Sequence, residues 1–143
     1  MSTHTVLFTE DNAMLRELIS AKLDAHRYAV VLALTGDEAL SILESGGIDV
    51  LVTDVSMPGT LDGWELAEQA RLINPEIAVI YSSGRRSDTA RQVSRSLYVQ
   101  KPYRPDAIVA AIRQLTTPRD DGGEDGDGSC RAAPIPPWQR GGP

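Results

Sequence analysis

Apolar residues fall in short runs that alternate with segments of helical period. The runs at 5–9, 28–33, 49–54, 77–82 and 97–100 read as five strands. After the first, Asn12 offers an N-cap, and Leu15, Leu18, Ile19 and Leu23 make an i, i+3, i+4, i+8 stripe, the mark of an amphipathic helix. After the second, Thr35-Gly36-Asp37-Glu38 places Glu three residues beyond Thr, the spacing of a capping box. The helix it opens runs through Ala39, Leu40, Ile42 and Leu43 and stops at Gly46-Gly47. Asp62 with Glu65 predicts another capped start, with Leu66, Ala67, Ala70 and Ile73 as the buried face; Asn74-Pro75 ends it. A last helix is predicted over 107–115, with Ile108, Ala111, Ile112 and Leu115 inward and Pro105 acceptable in its first turn. Residues 85–96 hold only Ala90 and Val93 as apolar anchors against Arg85, Arg86, Arg91 and Arg95, which predicts a short, loosely packed helix.

Five βα units with short connections imply a parallel sheet covered on both faces by helices. The expected fold is α/β, doubly wound and flavodoxin-like, with strand order 2-1-3-4-5. The pattern by itself also admits other doubly wound orders.

Composition changes the picture at the C-terminus. Residues 118–143 are rich in Gly, Pro and charge and carry little apolar surface, so they cannot offset the entropy of ordering. The chain divides into an expected domain at 1–117 and a disordered tail at 118–143. Of 14 Lys+Arg and 20 Asp+Glu, the tail holds three and five, leaving 11 and 15 in the domain. Neither part has the basic balance of a nucleic-acid binder. The single cysteine, Cys130, rules out a disulfide framework within the chain. No stretch is apolar enough to span a bilayer and no signal-peptide pattern opens the chain, so the expectation is a cytoplasmic protein without membrane insertion.

The chemistry gathers at the strand ends. Asp54 closes Asp49-Val50-Leu51-Val52-Thr53-Asp54 and enters the turn Val55-Ser56-Met57-Pro58-Gly59. Glu10 and Asp11 follow the first strand, Ser83 the fourth and Lys101 the fifth. In an open α/β sheet these ends share one edge, where ligands bind. Converging carboxylates repel unless one is protonated or a cation is present. Mg²⁺, held by one or two carboxylates plus a phosphate, suits Asp11 and Asp54 with Glu10 in reserve. Lys101 supplies a point charge for phosphate and Ser83 a hydroxyl. Together these describe a phosphoryl-transfer site in which Asp54 is the nucleophile.

At these residues the chain resembles the receiver domains of bacterial two-component response regulators. The matching elements are Glu10-Asp11, Asp54 in Asp-Val-Ser-Met-Pro-Gly, Asp62-Gly63, Ser83-Gly84 and Lys101-Pro102-Tyr103, over roughly 4–117. The resemblance implies that Asp54 takes a phosphoryl group from the phosphohistidine of a histidine kinase or phosphotransfer protein. It implies Mg²⁺ bound by Asp11, Asp54 and the backbone carbonyl of Ser56, with Glu10 acting through water. Ser83 and Lys101 would contact the phosphoryl group, Tyr98 would be the aromatic switch coupled to Ser83, and Lys101-Pro102 would be cis. Apart from Mg²⁺-dependent self-phosphorylation and slow hydrolysis, such a domain is not an enzyme in its physiological role. With no output region after residue 117 it is expected to be of the single-domain type, acting as a phosphoryl shuttle or through a downstream protein target, and it leaves room for a phosphorylation-dependent dimer.

The chain also departs from the family pattern. The turn from Met57 to Gly63 is one residue longer than in the commonest receivers. The span from Ser83 to Lys101 is short, which puts the usual signalling face in question. Arg104, where relatives often carry Ser or Thr, weakens the cap of the last helix.

Plainer readings stand beside these. Glu10 and Asp11 could simply favour a helix N-terminus, Asp62 reads as a cap, Trp64 as packing and the basic stretch 85–95 as a solvated face. His4 and His26 receive no role. Two competing functions are a Mg²⁺-dependent phosphohydrolase with an Asp nucleophile and a phosphate-independent receiver-like module. The first wants a second Asp two residues after Asp54, where this chain has Ser56. The second would normally have lost Asp54, Asp11 or Lys101.

Overall fold

The computed structural model describes residues 4–56, 59–84 and 91–116. Five strands, β1 (Thr5–Thr9), β2 (Ala29–Ala33), β3 (Val50–Asp54), β4 (Ala78–Ser83) and β5 (Ser96–Gln100), form one parallel sheet in the order β2-β1-β3-β4-β5. This is the expected order. Between and after them lie α1 (Ala13–Ala25), α2 (Gly36–Ser45), α3 (Gly63–Ile73) and α4 (Pro105–Thr116). Element ends differ from the sequence expectations by a residue or two, the usual uncertainty where helices and strands fray.

Strand side chains alternate between the two faces, and this sorts the core. Val6, Phe8, Val50, Val52, Ile80 and Val99 pack under Ile19 and Leu23 of α1 and Ile108 and Ile112 of α4. On the other face Leu7, Leu51, Val79, Tyr81 and Tyr98 pack under Leu43 of α2 and Trp64, Leu66 and Ala70 of α3. The strands β3 and β4 are buried throughout, whereas β2, at the sheet edge, has exposed and half-buried positions. Each fully buried aliphatic or aromatic side chain is worth about 1.5–3 kcal/mol, so these two layers hold the domain together.

Local expectations meet the structure unevenly. Asn12 caps α1 by accepting the Leu15 N–H, and α3 opens on a complete capping box between Asp62 and Glu65. The α2 start needs correcting. Thr35 accepts the Glu38 N–H, but the Glu38 carboxylate takes the Leu34 N–H at 2.8 Å rather than that of Thr35. The reciprocal bond has slipped one residue outward, onto the end of the β2 corner. Leu18, placed in the α1 stripe, is 51% exposed, because it lies about 60° to one side of Leu15 on the wheel, away from Ile19 and Leu23. The helix expected over 85–96 does not extend through its described part. Residues 92–95 are non-helical and Ser96 opens β5; residues 85–90 lie outside the described residues, as do the tail 118–143, Met57 and Pro58.

Arg91 and Arg95 are not a bare solvated face. Arg91 pairs with Glu68 at 3.4 Å and reaches Asp62 at 3.9 Å, and Arg95 donates to the Pro75 carbonyl at 2.9 Å. No helix among the described residues is long and apolar enough to cross a membrane.

Candidate functional site

Because all five strands are parallel, their C-terminal ends share one edge, and β1, β3, β4 and β5 deliver Glu10, Asp54, Ser83 and Lys101 to it. Asp54 stands opposite Ser82 in the β3–β4 register, and Ser83 opposite Gln100 in β4–β5. The backbone is stitched across the edge: the Glu10 amide donates to Ala33, that of Val55 to Ser82 and that of Lys101 to Ser83, at 3.1, 2.8 and 2.7 Å. A rigid sheet edge of this kind fixes side-chain roots to a fraction of an ångström.

Glu10 is 1% exposed and Asp54 8% exposed, values rarely met by unpaired carboxylates. Their partner is Lys101. Its ammonium donates to Glu10 Oε1 at 2.8 Å and to Asp54 Oδ2 at 3.0 Å. The remaining oxygens have partners too. Glu10 Oε2 accepts the Asn12 amide at 3.1 Å, and Asp54 Oδ1 accepts the Ser56 amide at 3.2 Å. Arg16 donates to the Glu10 carbonyl at 2.8 Å.

Burial pushes the Glu10 carboxyl above its ordinary value, and the Lys101 bond only partly opposes the rise. For Lys101 burial pulls the other way, but its bonds to Glu10 and Asp54 more than compensate, so its value is raised and the ammonium stays charged. Asp11 is exposed at the start of α1. Glu10, Asp11 and Asp54 each bring a carboxylate oxygen within 4.8 Å of the others. An all-oxygen set of this spacing fits a hard divalent cation, and one lysine cannot neutralise three acids.

Ser83 is buried, at 4% exposure. By strand alternation Ser83 and Tyr98 belong to the α3 side of the sheet, whereas Glu10, Asp54 and Lys101 belong to the α1/α4 side. Tyr98, buried at 7% exposure, lies in a row of rings: Trp64 is 4.6 Å from Tyr81 and 6.5 Å from Tyr98, centroid to centroid. Trp64 is therefore packing, as expected, and Asp62 is a cap. The Lys101-Pro102 bond is cis. His26 meets Arg113 at 3.2 Å and His4 stacks on Tyr28, both outside the acid cluster.

Sequence reasoning missed two features here. One is the Glu10–Lys101 ion pair, since Lys101 was assigned to phosphate alone. The other is a set of buried hydroxyls, Thr9, Ser82 and Tyr103, which have no hydrogen bond of good geometry among the described residues. Burial raises the Tyr103 phenol, the charges of Glu10 and Asp54 add to the rise, and Ser82 lies near enough to oppose it. The alternation of β4 was a signal for Ser82, which falls on the same face as Ile80 and its register partner Asp54.

Comparison with known proteins bears on the family and the fold. The model of the response regulator receiver domain matches residues 6–113. The response regulator MprA of Mycolicibacterium vanbaalenii is 32% identical over 126 residues, which cover 83% of this chain and 54% of that protein. MprA of Mycobacterium avium is likewise 32% identical, over 81% of this chain and 54% of its own length, so the chain spans about half the length of these curated relatives. Among solved structures, a response regulator receiver protein from Sinorhizobium medicae superposes with a TM-score of 0.76 at 30% identity, covering 80% of this chain and 94% of that one. The receiver domain of the hybrid histidine kinase CckA does so with a TM-score of 0.68 at 32% identity, covering 78% and 97%.

Proposed function

The chain belongs to the response regulator receiver domain family, and from that premise we propose that Asp54 is a phosphoacceptor, loaded from the phosphohistidine of a histidine kinase or phosphotransfer protein. The observation that carries the reading is the position of Lys101, whose ammonium bridges Glu10 and Asp54 at 2.8 and 3.0 Å beside a three-carboxylate cluster.

In the proposed step a carboxylate oxygen of Asp54 attacks phosphorus in line with the P–N bond. A C–O–P linkage forms, the P–N bond breaks, and its electron pair returns to the imidazole, which is protonated as it leaves. The barrier lies in bringing an anionic acceptor to an anionic phosphoryl group and in neutralising charge on the equatorial oxygens. Lys101 is already charged and already at Asp54, so a short shift hands its N–H donors to the phosphoryl oxygens. Ser83 is rooted at the neighbouring strand end on the other side of the sheet, and in this reading its hydroxyl turns over the edge toward the same group once phosphate is present.

Asp11, Asp54 and the Ser56 carbonyl would hold Mg²⁺, with Glu10 acting through water; when bound, the ion supplies charge neutralisation for the transferring group. Tyr98 is the proposed readout, turning when Ser83 is drawn toward phosphate and so changing the surface offered to a downstream protein. A location in the cytoplasm, where a kinase could reach it, belongs to the same reading.

Acetyl phosphate, with and without Mg²⁺, followed by intact-protein mass, tests the acceptor. The expected result is a single Mg²⁺-dependent phosphoryl adduct that Asp54→Asn abolishes. No adduct under any small donor, or an adduct that survives in Asp54→Asn, would overturn it.

A further inference from the structure

We infer that Asp37 and Thr60 form a clasp between α2 and the loop after β3, and that this clasp sets how tightly a divalent cation is held beside Asp54. The inference rests on the phosphoacceptor reading above. The backbone leaves the sheet at Val55 and returns at Gly63, where the Gly63 amide donates to the Val55 carbonyl at 2.8 Å and closes the base of the loop. One limb carries Ser56, whose amide is bound to Asp54 Oδ1 and whose carbonyl is the proposed cation ligand. The other limb carries Thr60. Its hydroxyl donates to Asp37 Oδ1 at 2.6 Å and its amide to Asp37 Oδ2 at 3.3 Å, across 23 residues of sequence. Both oxygens of one carboxylate are thus committed to one residue of the loop.

A second, independent contact lies beside it. A side chain at Gly36 would start 2.7 Å from the Leu61 carbonyl oxygen and 2.9 Å from Leu61 Cβ, so the first residue of α2 must be glycine for the loop to sit this close. The Thr60 hydroxyl and amide keep the Asp37 carboxyl below its ordinary value, so the acceptor is anionic at neutral pH. The far side of the same corner also touches the site, since the Ala33 carbonyl at the end of β2 holds the Glu10 amide. One corner of the fold therefore braces the acid cluster through Glu10 and the ligand-bearing loop through Thr60.

An oxygen ligand on a braced loop has less freedom to lose when the cation arrives, so contacts that hold the loop in place raise affinity without touching the ion. Asp37 and Thr60 are positioning residues in this sense; neither lies in the three-acid cluster.

The test is calorimetric titration of Mg²⁺ into the full chain as wild type, Asp37→Ala, Thr60→Val and Thr60→Ser, with hydrogen exchange at residues 59–63 measured on the metal-free proteins. The bond to Thr60 is exposed and touches no ligand directly, so the expected loss lies below the ten- to hundredfold of groups bonded to a ligand, a dissociation constant weaker by about three- to tenfold in Asp37→Ala and Thr60→Val. Exchange at 59–63 should accelerate in both, while Thr60→Ser, which keeps the hydroxyl, should stay near wild type. If Asp37→Ala fails to fold, Thr60→Val carries the test. Unchanged affinity in the folded variants overturns the clasp, whether or not loop exchange accelerates, and leaves the phosphoacceptor reading standing. Wild-type protein that binds no Mg²⁺ overturns the clasp and removes the metal part of that reading as well.

Discussion

At the scale of single residues, the site is a contest between burial and charge. Glu10 is nearly sealed from solvent, and its proton is favoured by desolvation even though Lys101 sits 2.8 Å away. Its effect on stability follows in sign. A carboxyl whose value is raised on folding binds its proton more readily in the folded than in the unfolded chain. Stability must then fall as pH rises from the unfolded value of 4.5 through the raised folded value. Glutamine at this position cannot titrate. In urea unfolding of wild type and Glu10→Gln at stepped pH, the difference between them should shift against the wild type as pH climbs through that window. A difference that does not change with pH would show that burial of Glu10 carries no net cost. Glu10 and Lys101 were both legible as site residues from their places after strands, but their pairing was not. They are 91 residues apart, and only the sheet order makes β1 and β5 ends converge.

Among the elements, α3 starts directly against the strand end that carries Asp54. Its capping box was legible because Asp62 and Glu65 carry the required chemistry at the required spacing, and the bonds are local. Its approach to β3 was not. A Cβ at Gly63 would collide with the Asp54 carbonyl oxygen and lie 2.7 Å from Val55 Cα, both backbone atoms that cannot swing aside. Gly63→Ala must push α3 off the strand end or drag the Asp54 backbone with it. The expected cost is about 1–3 kcal/mol in denaturant unfolding, the range for overpacked interiors, together with slower phosphorylation from acetyl phosphate. An alanine variant as stable and as reactive as wild type would mean the contact can relax freely. Two misplaced expectations at this scale have separate causes. The Glu38 bond shifted to Leu34 because several N–H groups lie within reach of a flexible carboxylate at a helix start. Leu18 was swept into a stripe that periodicity drew too wide.

For the molecule as a whole, both core layers close within residues 6–112, and the family model ends at 113. We propose on this basis that 1–117 folds without the tail. A chain ended after Thr117 should melt within about 2 °C of the full chain, a shift corresponding to less than about 0.5 kcal/mol for a domain of this size. It should also accept phosphate from acetyl phosphate at the same rate. A markedly lower melting temperature would assign 118–143 a place in the fold. The five strands and four helices of the described residues were all foreshadowed in the sequence, because alternation and helical period are local consequences of which side chains need burying.

The sequence by itself determined that the chain is a βα alternation, that acids, a hydroxyl and an amine stand at strand ends, and which motifs they resemble. These are properties of neighbours along the chain, where spacing translates directly into geometry. Only the tertiary structure decided that Lys101 is already shared between Glu10 and Asp54, that Gly63 lies against the Asp54 carbonyl, and that Asp37 holds Thr60. Each of these joins elements whose relative placement depends on strand order and helix packing. Burial then gives the contacts their weight, since the same lysine and acids in water would interact far more weakly than they do at a nearly sealed sheet edge.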